Sequence, residues 1–157
     1  MVYTFTAEAL NRIRTKLTAD IKNQIDAKNL NATRKLRNSI SGTVFASAKS
    51  ITLNIYAAKY FDSVDKGTRP GIRPPYRKIY EWASAKGIQP RDSKNFNQMI
   101  KNIQEAIFQN GTIKRFAYKG ASIIDYVDEK YKEEITQEIK EGYLKDLESE
   151  INNNVNS

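Results

Sequence analysis

Apolar positions recur every three or four residues over the first part of the chain, at Leu10, Ile13, Leu17, Ile21 and Ile25. That spacing puts them on one stripe of an α-helix of roughly 20 residues. The opposite face carries Arg12, Arg14, Lys16, Asp20 and Lys22. Thr6, followed by Glu8, reads as the helix start. Asn29 and Asn31 should break or bend the helix, and "ATRKLRNSI" predicts a shorter helical piece. From Gly42 the period changes. Ile51, Leu53 and Ile55 alternate with Thr52, Asn54 and Tyr56, which is strand periodicity. "GTVFASA" and "SITLNIYA" around Lys49-Ser50 therefore predict an antiparallel hairpin with one buried and one polar face.

"KYFDSVDKG" reads as a short helical turn ending at Gly67. Pro74-Pro75 opens the next helix, where a missing N–H costs nothing, and Tyr76, Ile79, Trp82 and Ala83 share its buried face. Gly87 ends it, with Ile88 placed to fold back as in a Schellman motif. Asp92 or Ser93 is the expected cap of a further helix with Phe96, Met99, Ile100, Ile103 and Ile107 on one side, stopped by Asn110-Gly111. "TIKRFAYKG" is either a third strand or an extended linker. A long final helix runs from about Ser122 to Asn152, with Ile124, Val127, Tyr131, Ile135, Ile139, Tyr143, Leu147 and Ile151 as a narrow stripe that drifts around it. Gly142 sits mid-helix at a cost of ~1 kcal/mol in propensity. The fold class is α+β: a small antiparallel sheet packed against helices, with long helices at both ends. One domain over 1–152 is expected, with 153–157 as a frayed tail.

Composition narrows the function classes. The chain has 157 residues, no cysteine and no histidine. Disulfides, thiolate nucleophiles and imidazole metal sites are excluded, and so is the commonest general base at neutral pH. No run reaches the ~18–20 apolar residues of a membrane span, and "MVYTFTAEAL" lacks a signal-peptide pattern. The expected site of synthesis is the cytoplasm. The net charge is +8, unevenly spread. Residues 1–124 hold 22 Lys and Arg against 8 Asp and Glu, whereas residues 125–157 hold 4 against 10. A basic body with an acidic end can bind nucleic acid, or copies of itself head to tail; the plainer alternative is two separately solvated surfaces.

Gly67 to Gly71 is glycine-rich but fits neither nucleotide-binding loop pattern, and its proline removes a backbone donor. Asp62, Asp65 and Lys66 could hold a hydrated Mg²⁺ as in a nuclease, although acids so placed more often cap turns. Arg69, Arg73, Arg77, Lys78 and Lys86 form a basic stripe near Tyr76, Tyr80 and Trp82. Basic and aromatic residues together mark nucleic-acid contact, but helical spacing puts Tyr76, Ile79 and Trp82 on one buried face, where aromatics are more often core than a stacking platform. The acidic terminal helix suits packing on the body or on another subunit.

The segment from Tyr60 to Ile88 concentrates rigid turn residues. It reads "YFDSVDKGTRPGIRPPYRKIYEWASAKGI", and the later "IQEAIFQNGT" supplies Ile103, Ile107, Gly111 and Thr112. With its flanking helix and hairpin, this order resembles the neck and tail-completion proteins of tailed bacteriophages. The matching positions are Tyr60, Val64, Asp65, Lys66, Gly67, Arg69, Pro70, Gly71, Pro74, Pro75, Ile79, Trp82, Lys86, Gly87 and Ile88. The resemblance spans residues 5–150 in order, with its specificity in 60–112. The long acidic terminal helix departs from it.

The resemblance implies a structural virion protein, not an enzyme, that forms an oligomeric ring at the head–tail junction around the DNA channel. Its implied partners are copies of itself, the portal or connector, and tail proteins, with non-specific DNA contact in the channel and no membrane. No cofactor is implied. Assembly would take place in the host cytoplasm. Lys66, Arg69, Arg73, Arg77 and Lys78 are then the expected interface cations on a stiff projecting loop. The alternative is a basic nucleic-acid-binding protein acting as a monomer or dimer.

Overall fold

The computed structural model describes residues 3–91, 95–112 and 120–155. In chain order the elements are α1 (Thr4–Ala27), α2 (Lys35–Ser39), β1 (Ser41–Ala46), β2 (Ile51–Tyr56), α3 (Phe61–Asp65), α4 (Tyr76–Ala85), α5 (Phe96–Asn110) and α6 (Ile123–Val155). The fold is α+β, with the two strands as an antiparallel hairpin. The expected third strand falls on residues 113–119, and the caps expected at Asp92 or Ser93 on 92–94; both lie outside the described residues. The cap of α5 is Asn95, whose side-chain oxygen accepts the Gln98 N–H at 2.7 Å. Among the described residues no helix is long and apolar enough to cross a membrane.

The residues sort into two compact units. The first holds α1 up to Gln24, the hairpin, and α6 from Ile124 onward. Its core is the α1 stripe: Leu10, Ile13, Leu17 and Ile21 are all buried, with Ala9, Ile40 and Val127 beside them. The hairpin pairs Val44 with Leu53 and Gly42 with Ile55. Its turn is closed by Ser47, whose N–H donates to the Ser50 carbonyl at 2.8 Å and whose hydroxyl accepts the Ser50 N–H at 3.1 Å. Inward positions along β2 are only half-buried, while Thr52, Asn54 and Tyr56 are exposed.

Helices α1 and α6 run antiparallel, a register fixed by ion pairs. Lys130 meets Asp20 at 2.7 Å, Lys16 meets Glu134, and Arg12 meets Glu138 at 2.6 Å. Two of these pairs join cations of α1 to acids of α6, and the third joins Asp20 of α1 to Lys130 of α6, all within one chain. Part of the charge split along the sequence is therefore neutralised internally.

Farther along α6, Gly142 lies under the first turn of α1. A Cβ there would stand 2.9 Å from Thr6 Cα and 3.0 Å from the Phe5 carbonyl oxygen. Glycine is required because two backbones nearly touch. Alanine would gain ~1 kcal/mol of helix propensity and lose about 1–3 kcal/mol to overpacking. Gly142→Ala should thus lower stability by about 1 kcal/mol, measured by urea unfolding. A more stable variant would mean that α1 does not lie there.

The start of α1 differs from expectation. It begins at Thr4, and Thr6 does not cap it. Instead Asp146 of α6 accepts the Phe5 N–H at 2.8 Å, the Thr6 N–H at 3.0 Å and the Thr6 hydroxyl at 2.6 Å. A remote carboxylate satisfies donors that every helix start leaves open. The other end of α1 behaves as expected. Asn29 takes a left-handed φ of 51°, and the Leu30 N–H returns to the Ile25 carbonyl at 3.0 Å. That is a Schellman stop with asparagine in glycine's place. Helix α6 keeps helical geometry through Asn152–Asn154 to Val155, past the end expected from "NNNVNS".

The second unit contains Ile25–Asn38 and Ala58–Ile123. Its buried residues include Ile25, Leu36, Phe61, Ala83, Ile100, Ala121 and Ile123. Helices α4 and α5 meet through aromatics: Tyr80 packs edge-on against Phe96 with centroids 5.2 Å apart, and the Tyr76 hydroxyl donates to Asn97 Oδ1 at 2.8 Å. Helix α4 follows its predicted boundaries. Pro75 is the N-cap, and Gly87, at φ 63°, lets the Ile88 N–H reach the Ala83 carbonyl at 3.0 Å. Trp82, Tyr76 and Ile79 are half-buried rather than fully buried, and Ala83 is the buried centre of that face.

Candidate assembly surface

The site is built on the turn-rich segment of the second unit. Helix α3 starts after Tyr60, whose carbonyl accepts the Val64 N–H at 3.3 Å, and burial pushes the Tyr60 phenol pKa up. At the other end of α3, Asp65 is buried. Its carboxylate accepts the Ile123 N–H at 2.5 Å, and its carbonyl accepts the Ser122 N–H at 2.9 Å. The Val64 carbonyl accepts the Ala121 N–H at 3.0 Å. Asp65 is thereby a cap for the first residue of α6, supplied from 58 positions away. The close approach to the end of α3 requires Gly120, where a Cβ would lie 2.1 Å from the Asp65 carbonyl oxygen. Asp62, by contrast, is exposed and faces Lys66 at 3.5 Å. The two acids considered for a Mg²⁺ site point to different tasks, and among the described residues no three acidic side chains form a metal-binding group.

The loop from Gly67 to Pro75 lies along the C-terminal half of α5. The Thr68 N–H donates to Thr112 Oγ1 at 2.7 Å, and the Thr112 N–H returns to the Thr68 carbonyl at 3.0 Å. The Gly71 N–H reaches the Phe108 carbonyl at 2.7 Å, and Gln104 Nε2 donates to the Pro74 carbonyl at 2.6 Å. Gly111 closes the contact: a Cβ would sit 2.3 Å from the Thr68 carbonyl oxygen and 3.2 Å from Pro70 Cδ. The loop is strapped to a helix instead of projecting freely. Gly67 and Gly71, at φ 77° and 86°, supply the reversals that Pro70 between them cannot.

The expected interface cations divide into two groups. Lys66, Arg73 and Arg77 each pair with an acid of the same unit, namely Asp62, Glu105 and Glu81. Arg73 is also seated 4.5 Å above the Phe108 ring, so it fastens the loop to α5. Hydrogen bonds from Gln109 and Arg73 hold the Glu105 carboxyl below its usual range, and the hydrogen bond from Arg77 does the same for Glu81. Arg69 and Lys78 are exposed and have no ionic partner among the described residues. Between them, Ile72 is 56% exposed on the braced loop.

No family model, curated protein or solved structure matches this chain. The surface is thus described by its own geometry. It offers one arginine and one isoleucine on a backbone held at Thr68, Gly71 and Pro74, with Lys78 on the first turns of α4. Neither residue stood out in the sequence for the right reason. Arg69 was one cation among five, and Ile72 was a lone apolar residue in a proline-rich loop. Tyr76 and Tyr80 are engaged by Asn97 and Phe96, respectively.

Proposed function

We propose that this protein is a structural component of a tailed-bacteriophage virion that assembles as a ring at the head–tail junction, around the channel through which DNA passes. It acts by holding neighbours together and carries out no reaction. The observation that supports this is the braced loop. Its motif residues serve geometry: Asp65 caps a helix, Gly111 and Gly71 allow close backbone approach, and Arg73 is a fastening. What remains outward is Arg69 with the exposed Ile72. An ordered loop loses little entropy when gripped, and an arginine beside an apolar knob is common at the centre of interfaces. The partners are further copies of the chain, a portal or connector protein on one side and tail proteins on the other.

Arg69→Glu combined with Ile72→Asp should raise the concentration at which the protein assembles by about tenfold or more, the range expected for a centre-of-interface pair. Both residues are exposed, so the melting temperature should stay within about 2 °C of wild type, since exposed substitutions cost little. Unchanged assembly would remove the loop from the interface. The second reading, a basic nucleic-acid-binding monomer or dimer, is favoured by the +14 balance over residues 1–124. It predicts an affinity for DNA that falls steeply with added salt.

A further inference from the structure

The positive charge of this protein is concentrated in one of its two units. Among the described residues the second unit holds 13 Lys and Arg against 5 Asp and Glu, whereas the first holds 9 against 12. The acids of the second unit are all committed within it. Asp26, Asp62, Glu81 and Glu105 pair with Arg37, Lys66, Arg77 and Arg73, and Asp65 caps α6. The charge that unit offers a partner is therefore almost wholly positive. Interfaces with nucleic acid are much more positive than interfaces between proteins.

One place in the unit is built to receive an anion. Beyond the stop of α1, the connection to α2 bounds an open cavity of about 380 Å³ lined by Asp26, Arg34, Arg37 and Asn38. Asp26 is engaged on both oxygens: Oδ1 accepts from Asn31 Nδ2 at 2.5 Å and Oδ2 accepts from Arg37 Nε at 2.8 Å. Its carboxylate sets these two neighbours in place. Asn31 Oδ1 in turn accepts the Arg37 backbone N–H at 3.4 Å. Arg37 is held through Nε, and its outer nitrogens have no hydrogen bond among the described residues. The Arg34 guanidinium and the Asn38 amide have none either, so three side chains bring open donors to the cavity.

Arg34 has a second peculiarity. Its φ is 57°, in the left-handed region that an arginine seldom takes. Glycine adopts that conformation without strain. The turn needs a left-handed residue, and the guanidinium is an addition that the turn does not require. Further cations stand around it. Lys86, the C-cap of α4, donates to the Asn29 carbonyl at 3.0 Å and to Asn29 Oδ1 at 2.7 Å, in the same connection. Arg77, by hydrogen bond and charge, and then Lys78 and Lys35 by charge, lower the Glu81 carboxyl pKa, so the start of α2 lies beside α4.

We propose that this cavity holds a backbone phosphate of double-stranded DNA, with Arg34, Arg37 and Asn38 as donors and Lys35 and Lys86 as flanking charges. Guanidinium groups meet phosphate oxygens through paired N–H bonds. Such contacts position a duplex and carry no base sequence. The choice of DNA as the polyanion rests on the channel proposed above; the phosphate chemistry of the cavity does not.

The strain at Arg34 supplies the test. Full-length Arg34→Gly should melt at the wild-type temperature or above it, because the left-handed turn is relieved. Its affinity for a labelled duplex of mixed sequence should fall about fivefold or more, and the slope of log affinity against log salt should shrink by about 1. Lys101→Gln, which removes one exposed charge from α5, should lower affinity by no more than about twofold. Equal losses in the two variants would reduce the effect to overall charge and overturn the site, as would a wild type that binds no duplex. Inorganic phosphate that displaces the label as well as unlabelled duplex, at matched ionic strength, would reassign the cavity to a free phosphate. Polyglutamate that does so would reassign it to an acidic protein. Light scattering of the same samples reads self-association separately. Rings without duplex binding remove this site alone, whereas Arg34-dependent binding by a protein that stays monomeric keeps the site and removes the ring.

Discussion

Gly120→Ala should destabilise the protein by about 3 kcal/mol or more, the largest effect expected of any single-methyl change here. Gly120 has φ 67°, which costs an alanine roughly 1 kcal/mol or more. The added Cβ would also lie 2.1 Å from the Asp65 carbonyl oxygen and 2.4 Å from the Lys66 carbonyl carbon. Both are backbone atoms, so relief requires moving the chain, and overpacking of that kind adds about 1–3 kcal/mol. The displaced segment is the one that brings the Ile123 N–H to the Asp65 carboxylate, so the cap of α6 would loosen too. Urea unfolding of the variant measures the loss. A cost below 1 kcal/mol would show that residues 64–66 and 120–123 are not paired in this way.

Asp146→Ala should cost about 3 kcal/mol. It removes an ionised acceptor from two backbone N–H groups and one hydroxyl, and leaves the buried Thr6 without its partner. Hydrogen bonds to charged groups contribute about 1.5–3 kcal/mol, and orphaned donors add to the loss. The pH dependence is diagnostic. Burial pushes the Asp146 carboxyl pKa up, but hydrogen bonds from the Thr6 side chain and from backbone N–H groups of Thr6, Phe5 and Thr4 outweigh it, and the net direction is down. A carboxyl with a depressed folded pKa stabilises fully above its unfolded pKa. That contribution is lost as pH falls through the folded value. Wild type should therefore lose stability below about pH 4, near the ordinary aspartate value, more steeply than Asp146→Ala. Parallel pH curves for the two proteins would contradict the role of Asp146.

What the sequence revealed was local. The hairpin was legible because Ile51, Leu53 and Ile55 alternate with polar residues over one strand. The stops at Asn29 and Gly87 were legible because a left-handed residue announces itself by type. The i, i+4 pairs Asp62–Lys66 and Arg77–Glu81 were also within reach of spacing alone. Contacts between distant segments were not. Nothing around Asp146 indicates that it caps a helix 140 residues earlier, and Gly142 read as a weak point in α6 until the first turn of α1 proved to rest on it.

The candidate site shows the same division. Its cations were visible as a group, but which of them are committed depends on where α5 lies. Arg73 looked available for a partner because Glu105 and Phe108 are more than 30 positions away. The loop looked like a projection because prolines stiffen a chain whether it stands free or is strapped down. The split between basic body and acidic end likewise suggested attraction between chains, and part of it is used between α1 and α6 of one chain.

The most direct test of ring assembly is mass photometry of the full-length protein over a wide concentration range, alone and with portal or tail proteins of a tailed phage, followed by electron microscopy of any large species. A discrete high-mass species that images as closed rings, forms without DNA and shifts to higher concentration in the Arg69→Glu, Ile72→Asp variant is the predicted result. A protein that stays monomeric in every mixture, and binds DNA with a steep loss of affinity on adding salt, would contradict it and favour the nucleic-acid-binding alternative.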